Sequence, residues 1–356
     1  MSGPLSTEEV TEYDSNEKSQ TSSTTKSPTS RTSARTLYWI IKKFNPIKRQ
    51  LVKEIGFGGL LELPLWNSIS RIFSTWLLGQ VDCIDFAIVL DAARRLQFTP
   101  QDVNKVFGIP CGQRDVLGPK TQISDAAMAY IREQAGISMS KISLKDAEKI
   151  VLMDLSKNST RLQKDSFKMA FVIIAMGHLL SPSTKYDHVN IDFLGALCCT
   201  EEISIELICK CAYVLKGIVE AAQKVQADLS MNKVVSNIFA CHIFLQIHYL
   251  DNLLLGQLQP RKNIYPRMVA FPTEVLNKLI LADTKPGGGY GANQFNARGT
   301  VRMPNISATT AQPLAVPTGS GQSPALLHSA SGTSQQTTAA TLPQFLREKY
   351  PTLVTT

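Results

Sequence analysis

Residues 208–229 read ICKCAYVLKGIVEAAQKVQADL, and their apolar spacing decides the fold class. Ile208, Cys211, Leu215, Ile218, Ala222, Val225 and Leu229 follow one another at steps of 3, 4, 3, 4, 3 and 4. That is one face of an α-helix carried over three heptads. Such a seam more often meets another helix of its own domain than a second chain. The stretch after it, 232–252, is apolar nearly all round, which predicts a central, buried helix.

Working back toward the N-terminus, the spacing predicts a helix over 162–180, ended by Ser181-Pro182. Ser143 is placed to cap a helix over 144–156, with Asp146 set for a capping box. Ser124 would cap 125–135, and Gly136 stands where a left-handed C-terminal residue is wanted. Thr99-Pro100-Gln101-Asp102 is a further helix start, with Thr99 as N-cap, Pro100 in the first turn and an acid behind it. That helix stops at Gly108, and Gly108-Ile-Pro-Cys-Gly112 reads as a loop. Phe86 to Leu90 and Leu96 to Phe98 favour strands and would form a small hairpin across the intervening DAARR. A helix from Pro64 would bury Leu65, Ile69, Ile72, Phe73, Trp76 and Leu77, and LYWIIKKF and IKRQLVKEI give two amphipathic pieces separated by Pro46. A last helix is predicted over 272–281.

The chain has 356 residues, of which 44% are hydrophobic and 19% charged, as in ordinary globular proteins. The formal charge is +8, but the segments 37–55 and 284–356 carry +4 each and 1–36 carries −1, leaving +1 for 56–283. A whole-domain basic field for nucleic acid is therefore not supported. Residues 1–36 are Ser/Thr/Glu/Lys-rich and are expected to be a disordered arm without the apolar core of a secretory signal. From Thr284 onward the Gly/Ala/Thr/Ser/Gln/Pro-rich sequence predicts a low-complexity, disordered tail. The expected organisation is thus an arm at 1–36, a helical domain at 37–283 and a tail at 284–356.

The 7 cysteines are an odd number with no secretory signal before them, so reduced thiols in nucleus or cytosol are expected. The longest apolar stretch, Met169 to Leu180, is too short to span a bilayer. Gly56-Phe-Gly-Gly59 lacks a phosphate-loop pattern and reads better as a turn. Cys198, Cys199, Cys209, Cys211, Cys241, His178, His188, His242 and His248 do not fall at zinc-ligand spacings; buried free Cys is the better reading. His178, Asp187, His188 and Asp192 are the best candidates for nucleophilic catalysis, yet no nucleophile elbow or catalytic Cys context accompanies them. Lys42, Lys43, Lys48, Arg49 and Lys53 alternate with Tyr38, Trp39 and Phe44, a pattern that suits phosphate contact or nuclear import, although a solvated helix face is the commoner meaning.

The run WLLGQVDCIDFAIVL-DAARRLQFTPQDVNKVFGIPCGQRDVLGP, from Trp76 to Pro119, resembles domains encoded by plant mobile elements. SLKDAEKIVLMDLS, FKMAFVIIAMGHLLSPSTKYDHVNIDFLGAL and NIFACHIFLQIHYLDNLLLG look like the continuation of the same domain in grass proteins, so the resemblance covers about 50–283. It is similar both to the aminotransferase-like plant mobile domain and to the domain that precedes ubiquitin-like (SUMO-type) cysteine proteases. The resemblance implies no cofactor site, and no Lys stands in a pattern for a pyridoxal Schiff base. Asp82-Cys83 is followed by Ile84 where such a protease would carry Gly, so no catalytic residue transfers. The tail stands where such relatives carry the protease, which suggests a protease-less copy or a remnant of that fusion.

These readings converge on a mainly α, single helical domain with a small β-hairpin and disordered arms. It is expected to be a non-enzymatic interaction module of transposon origin, binding an unknown protein partner, with nucleic-acid binding by Lys42, Lys43, Lys48, Arg49 and Lys53 as the alternative. The expected interaction site is Phe98, Asp102, Phe107, Gly108, Pro110 and Arg114, because Gly/Pro loops expose backbone to partners. No catalytic, cofactor or metal residue is assigned and no membrane segment is expected. The expected location is nucleus or cytoplasm, with a lean to the nucleus.

Overall fold

The computed structural model describes residues 27–30, 32–111, 132–133, 143–182 and 210–296. The element order is β1 (Thr29–Ser30), α1 (Ala34–Lys42), α2 (Pro46–Glu54), a 3-10 turn at Gly58–Glu62, α3 (Arg71–Gly79), β2 (Val81–Asp82), β3 (Ala87–Val89), β4 (Arg95–Gln97) and α4 (Pro100–Phe107). Then come α5 (Leu144–Leu152), α6 (Arg161–Ala175) closing in a π-turn at Met176–Leu180, α7 (Lys210–Ser230), β5 (Asn237–Ile238), α8 (His242–Asp251) and α9 (Thr273–Ala282). Helices dominate, and β2-β3-β4 form a small antiparallel sheet in which Ala87, Ile88 and Val89 face Gln97, Leu96 and Arg95. The expected hairpin is therefore present and is extended by a third strand.

All ten residues of α8 are buried, as their all-round apolar character requires. Around it pack α3, α4 and α9, and α7 lies across α3 and α4. Within the seam of α7, Cys211, Leu215, Ile218, Ala222 and Val225 are buried. Leu229, at its end, is 48% exposed. A second layer is built from α1, α2, α5 and α6, where Phe44, Phe57, Phe167 and Phe171 meet edge-on and stacked. On the other side, Phe73 and Trp76 of α3 stack against each other and meet Tyr249 and Tyr290.

Several boundaries differ from the sequence reading, each for a visible reason. The predicted helix from Pro64 begins only at Arg71. Before it, Trp66 Nε1 donates to the Phe271 carbonyl at 2.8 Å and the Asn67 N–H donates to Thr273 Oγ1 at 2.9 Å, which holds this stretch against α9. Ile72 is consequently 56% exposed and not on the buried face. The helix predicted over 232–252 begins at His242, because Asn237 and Ile238 pair in parallel with Thr29 and Ser30.

The same pairing moves the start of the folded part ahead of Leu37, the expected end of the disordered arm. At the other end the fold continues past 283. Asp283, fully buried, accepts from Tyr249 Oη at 2.7 Å and from the Gly291 N–H at 2.9 Å, and Phe295 bridges to Leu253. The remainder of both expected arms, and the helix expected over 125–135 apart from residues 132–133, lies outside the described residues.

Candidate interaction groove

Asn45 caps α2, its side chain accepting from the Lys48 N–H at 2.9 Å, and Pro46 occupies the first turn. Thr160 caps α6 in a reciprocal capping box with Gln163. These caps fix the start of two helices that pack side by side. Helical periodicity then aligns two stripes: Ile47, Gln50, Leu51 and Glu54 on α2 with Ile55 at its C-cap, and Arg161, Lys164, Asp165 and Lys168 on α6. Between them runs an open groove of about 820 Å³, completed by Lys157 from the loop before α6.

The groove has an apolar floor of Ile47, Leu51 and Ile55 and a rim of four cations against two acids. Lys168 Nζ closes on Glu54 Oε2 at 3.0 Å, and Arg161 Nε lies 3.5 Å from Asp165 Oδ2. Lys164 Nζ donates to the Lys157 carbonyl at 3.2 Å. Among the described residues that line the groove the cations outnumber the acids by two, which favours a negatively charged occupant. The sequence reading missed this set. The signal was present as KNSTRLQKDSFK at 157–168, where Lys157, Arg161, Lys164 and Lys168 recur at steps of 4, 3 and 4.

The basic segment 37–55 is split by the fold. Lys42, Lys43 and Lys53 are exposed and Arg49 is half-buried. Lys48 is 4% exposed, its ammonium 5.9 Å from the Phe44 ring centre and 5.8 Å from that of Phe167. Burial lowers its pKa, against an opposing pull from the Asp154 charge. Lys48 is thus a packed cation over aromatic faces and no surface contact. Its stem points to the aromatic side of α2 because that side must be covered.

Of the loop site expected after the hairpin, two residues are internal and three are half-buried. Phe98 and Phe107 are buried in the core. Asp102 Oδ2 accepts from the Thr99 N–H and from Thr99 Oγ1, both at 2.8 Å, and so completes the cap of α4. Gly108 adopts φ +65° as the C-cap, and the chain at Gly59 crosses it so closely that a side chain at Gly59 would strike the Phe107 carbonyl. Gly56-Phe-Gly-Gly59 therefore serves as a turn and a backbone crossing. Pro110 is half-buried, and Arg114 lies outside the described residues.

Of the titratable candidates, His178 Nε2 meets Glu148 Oε1 at 2.9 Å, while Asp187, His188, Asp192, Cys198, Cys199 and Cys209 lie outside the described residues. Cys241 is pushed up to about 12 by burial, and Cys83 to about 11 by burial and the Asp82 charge, so neither is a thiolate at neutral pH. His248 Nε2 donates to the Gln97 carbonyl at 2.9 Å. Among the described residues no group of three or more His, Cys, Asp or Glu could hold a metal ion, and no helix is long and apolar enough to cross a membrane.

Fold and groove together define a helical domain with a small antiparallel sheet and a cationic, apolar-floored surface channel. Residues 30–246, more than half of the chain, match the model of a family described as a domain of unknown function (DUF8566), and the chain belongs to that family. The match begins in β1 and ends within α8. No curated protein and no solved structure matches the chain.

Proposed function

We propose that the chain is a non-enzymatic interaction module, of the mobile-element kind its sequence motifs resemble, acting on a protein partner in a nuclear setting. The groove between α2 and α6 takes an acidic, amphipathic segment of that partner. The observation that carries this reading is the pairing of an apolar floor with a rim that has two more cations than acids. A segment with Leu or Ile on one face and Glu or Asp on its flanks would set its apolar side on the half-buried Ile47, above the buried Leu51 and Ile55, and meet Lys157 and Lys164 at the edge. Fluorescence polarisation with a labelled Glu/Leu amphipathic peptide and its Lys/Leu counterpart tests this. The acidic peptide binds, the basic one does not, and Lys164→Glu with Lys157→Glu weakens binding at least tenfold. Equal binding of both peptides, or no effect of the reversal, removes the groove from consideration.

Nucleic-acid binding is kept as the second reading because Lys42, Lys43 and Lys53 are exposed and make no ion pair among the described residues. Its signature is a log affinity for duplex or single-stranded DNA that falls with log salt, with the slope reduced by Lys42→Ala and Lys43→Ala. Absence of binding at low salt excludes it.

A further inference from the structure

Away from the groove, two thiols meet where α4 gives way to the loop that follows it. Gly108 turns the chain out of the helix, and Asn104 Nδ2 donates to the Ile109 carbonyl at 2.9 Å, which holds the loop back against α4. Cys111 Sγ donates to the Pro100 carbonyl at 3.0 Å, so its side chain lies along that helix. From the other side comes Cys211, near the start of α7, which packs on α4. Its Sγ lies 3.5 Å from the Ile109 carbonyl and 3.6 Å from the Pro110 carbonyl, and its thiol hydrogen-bonds the Cys111 sulfur. Two cysteines far apart in the chain thus present their sulfurs to each other, and both are free thiols.

The two partners differ. Cys211 is fully buried, whereas Cys111 is half-buried at the edge of the fold. The hydrogen bond from Cys211 holds the Cys111 thiol below the ordinary thiol range, although burial and the Asp102 charge both push it up. Cys83 and Cys241 go the other way, to about 11 and about 12, because nothing offsets their burial to this extent. A buried Cys needs no explanation beyond packing. A second sulfur set against it, at the side that solvent reaches, is a different matter: an accessible thiol of raised acidity beside another thiol is where oxidants act selectively.

We propose that Cys111 and Cys211 form a peroxide-sensitive modification site, oxidised to a disulfide that fastens the loop after α4 to the start of α7. The Cys111 thiolate attacks one oxygen of hydrogen peroxide and the O–O bond breaks. Cys111 becomes a sulfenic acid, and the other oxygen leaves as water with the thiol's proton. Cys211 then attacks the Cys111 sulfur: the S–S bond forms, the S–O bond breaks, and the hydroxyl leaves as a second water with the proton of Cys211. In sum two thiols give up two electrons and one peroxide becomes two waters. The site shares no residue with the groove and stands whatever the groove binds.

Peptide mapping of the full chain tests it. The protein is reduced, freed of reductant, treated with hydrogen peroxide at neutral pH, alkylated with iodoacetamide in denaturant and digested with trypsin without reduction. Cleavage after Lys105, Arg114, Lys210 and Lys216 puts Cys111 on peptide 106–114 and Cys211 on 211–216, apart from Cys209. The expected result is a cross-link between these two peptides as the main disulfide, lost on adding dithiothreitol, with Cys83 and Cys241 recovered alkylated. Cys211→Ala leaves the Cys111 sulfenic acid without its resolving partner, so dimedone labelling of Cys111 rises at least tenfold over the parent. Cys83→Ala keeps the cross-link. The mapping of the parent decides the question even if a variant folds poorly. No disulfide in the parent, a predominant link from Cys111 or Cys211 to any other cysteine, or oxidation of Cys83 or Cys241 as fast as that of Cys111 overturns the proposal.

Discussion

Arg267 is 1% exposed, with Nη2 at 2.7 Å from Asp251 Oδ1 and Nε at 3.1 Å from Asp251 Oδ2, and Lys262 Nζ closes on the same Oδ1 at 2.8 Å. Arg71 stands exposed on the first turn of α3 with no carboxylate at ion-pair distance among the described residues. Arg267 also donates Nη1 to the Arg261 carbonyl at 2.6 Å and stacks over the Phe271 ring, so every part of its guanidinium is answered by its own chain. A buried charge must be answered in this way, because desolvation leaves no other compensation. An exposed cation at the start of a helix is tolerated because water solvates it and screens the helix dipole. Local compensation thus separates a structural arginine from a solvated one, although the sequence writes both as the same letter.

The largest effect is expected on the compensated side. Asp251→Asn leaves Arg267 buried without its counter-ion and should destabilise the domain by about 3–5 kcal/mol in urea unfolding. Adding Arg267→Met should recover much of that loss; if the double variant is as weak as the single one, the pair is not what holds this corner. Arg71→Ala, by the same assay, should change stability by no more than about 0.5 kcal/mol.

Acid provides a second way to sharpen the contrast. Burial first, and then the charge of Arg71, hold the folded pKa of His242 at about 4, below its unfolded value, so the unfolded chain binds the proton more tightly. Stability contributed by neutral His242 is therefore complete above about pH 6.5 and declines as pH falls toward 4, by up to about 3 kcal/mol. Burial alone would raise the pKa of Asp251, but its hydrogen bonds from Arg267 and Lys262 outweigh this and hold it below the usual carboxylate range. Its contribution is present above about pH 4 and is lost only at lower pH, as the carboxylate protonates. As the pH is lowered from 7 to 4, urea midpoints should fall in the parent and stay flatter in His242→Gln. A parent with no slope there would mean that the imidazole is not held neutral.

Smaller effects come from the caps and the packed lysine. Thr99→Ala removes one half of the capping box of α4 and should cost about 1 kcal/mol. Lys48→Met keeps the stem over Phe44 and Phe167 and should shift stability by less than about 1 kcal/mol. It should also leave any salt-dependent DNA binding unaltered, whereas Lys42→Ala should not.

Features governed by short-range chemistry were legible in the chain. Thr99, Pro100 and Asp102 start α4, Gly108 ends it and Ser143 caps α5, because a cap needs only three or four consecutive residues. The seam of α7 and the all-round apolar α8 followed from periodicity, and β3 with β4 followed from two short strand-forming runs. The candidate sites were less legible. Phe98 and Phe107 looked available because a Gly/Pro loop follows them, yet they fill the core, and Lys48 looked solvated because its neighbours are charged.

Local pattern therefore determined the helical class, the starts of α4 and α5 and the existence of the hairpin. Tertiary structure alone decided that residues 232–241 leave the helix to pair with Thr29 and Ser30, more than 200 positions away, and that Lys48 turns onto aromatic rings. It alone brought the thiols of Cys111 and Cys211 together. The physical reason is distance along the chain. Caps and periodicities act within one or two helical turns, whereas burial and charge compensation depend on which remote segments the folded core presses together.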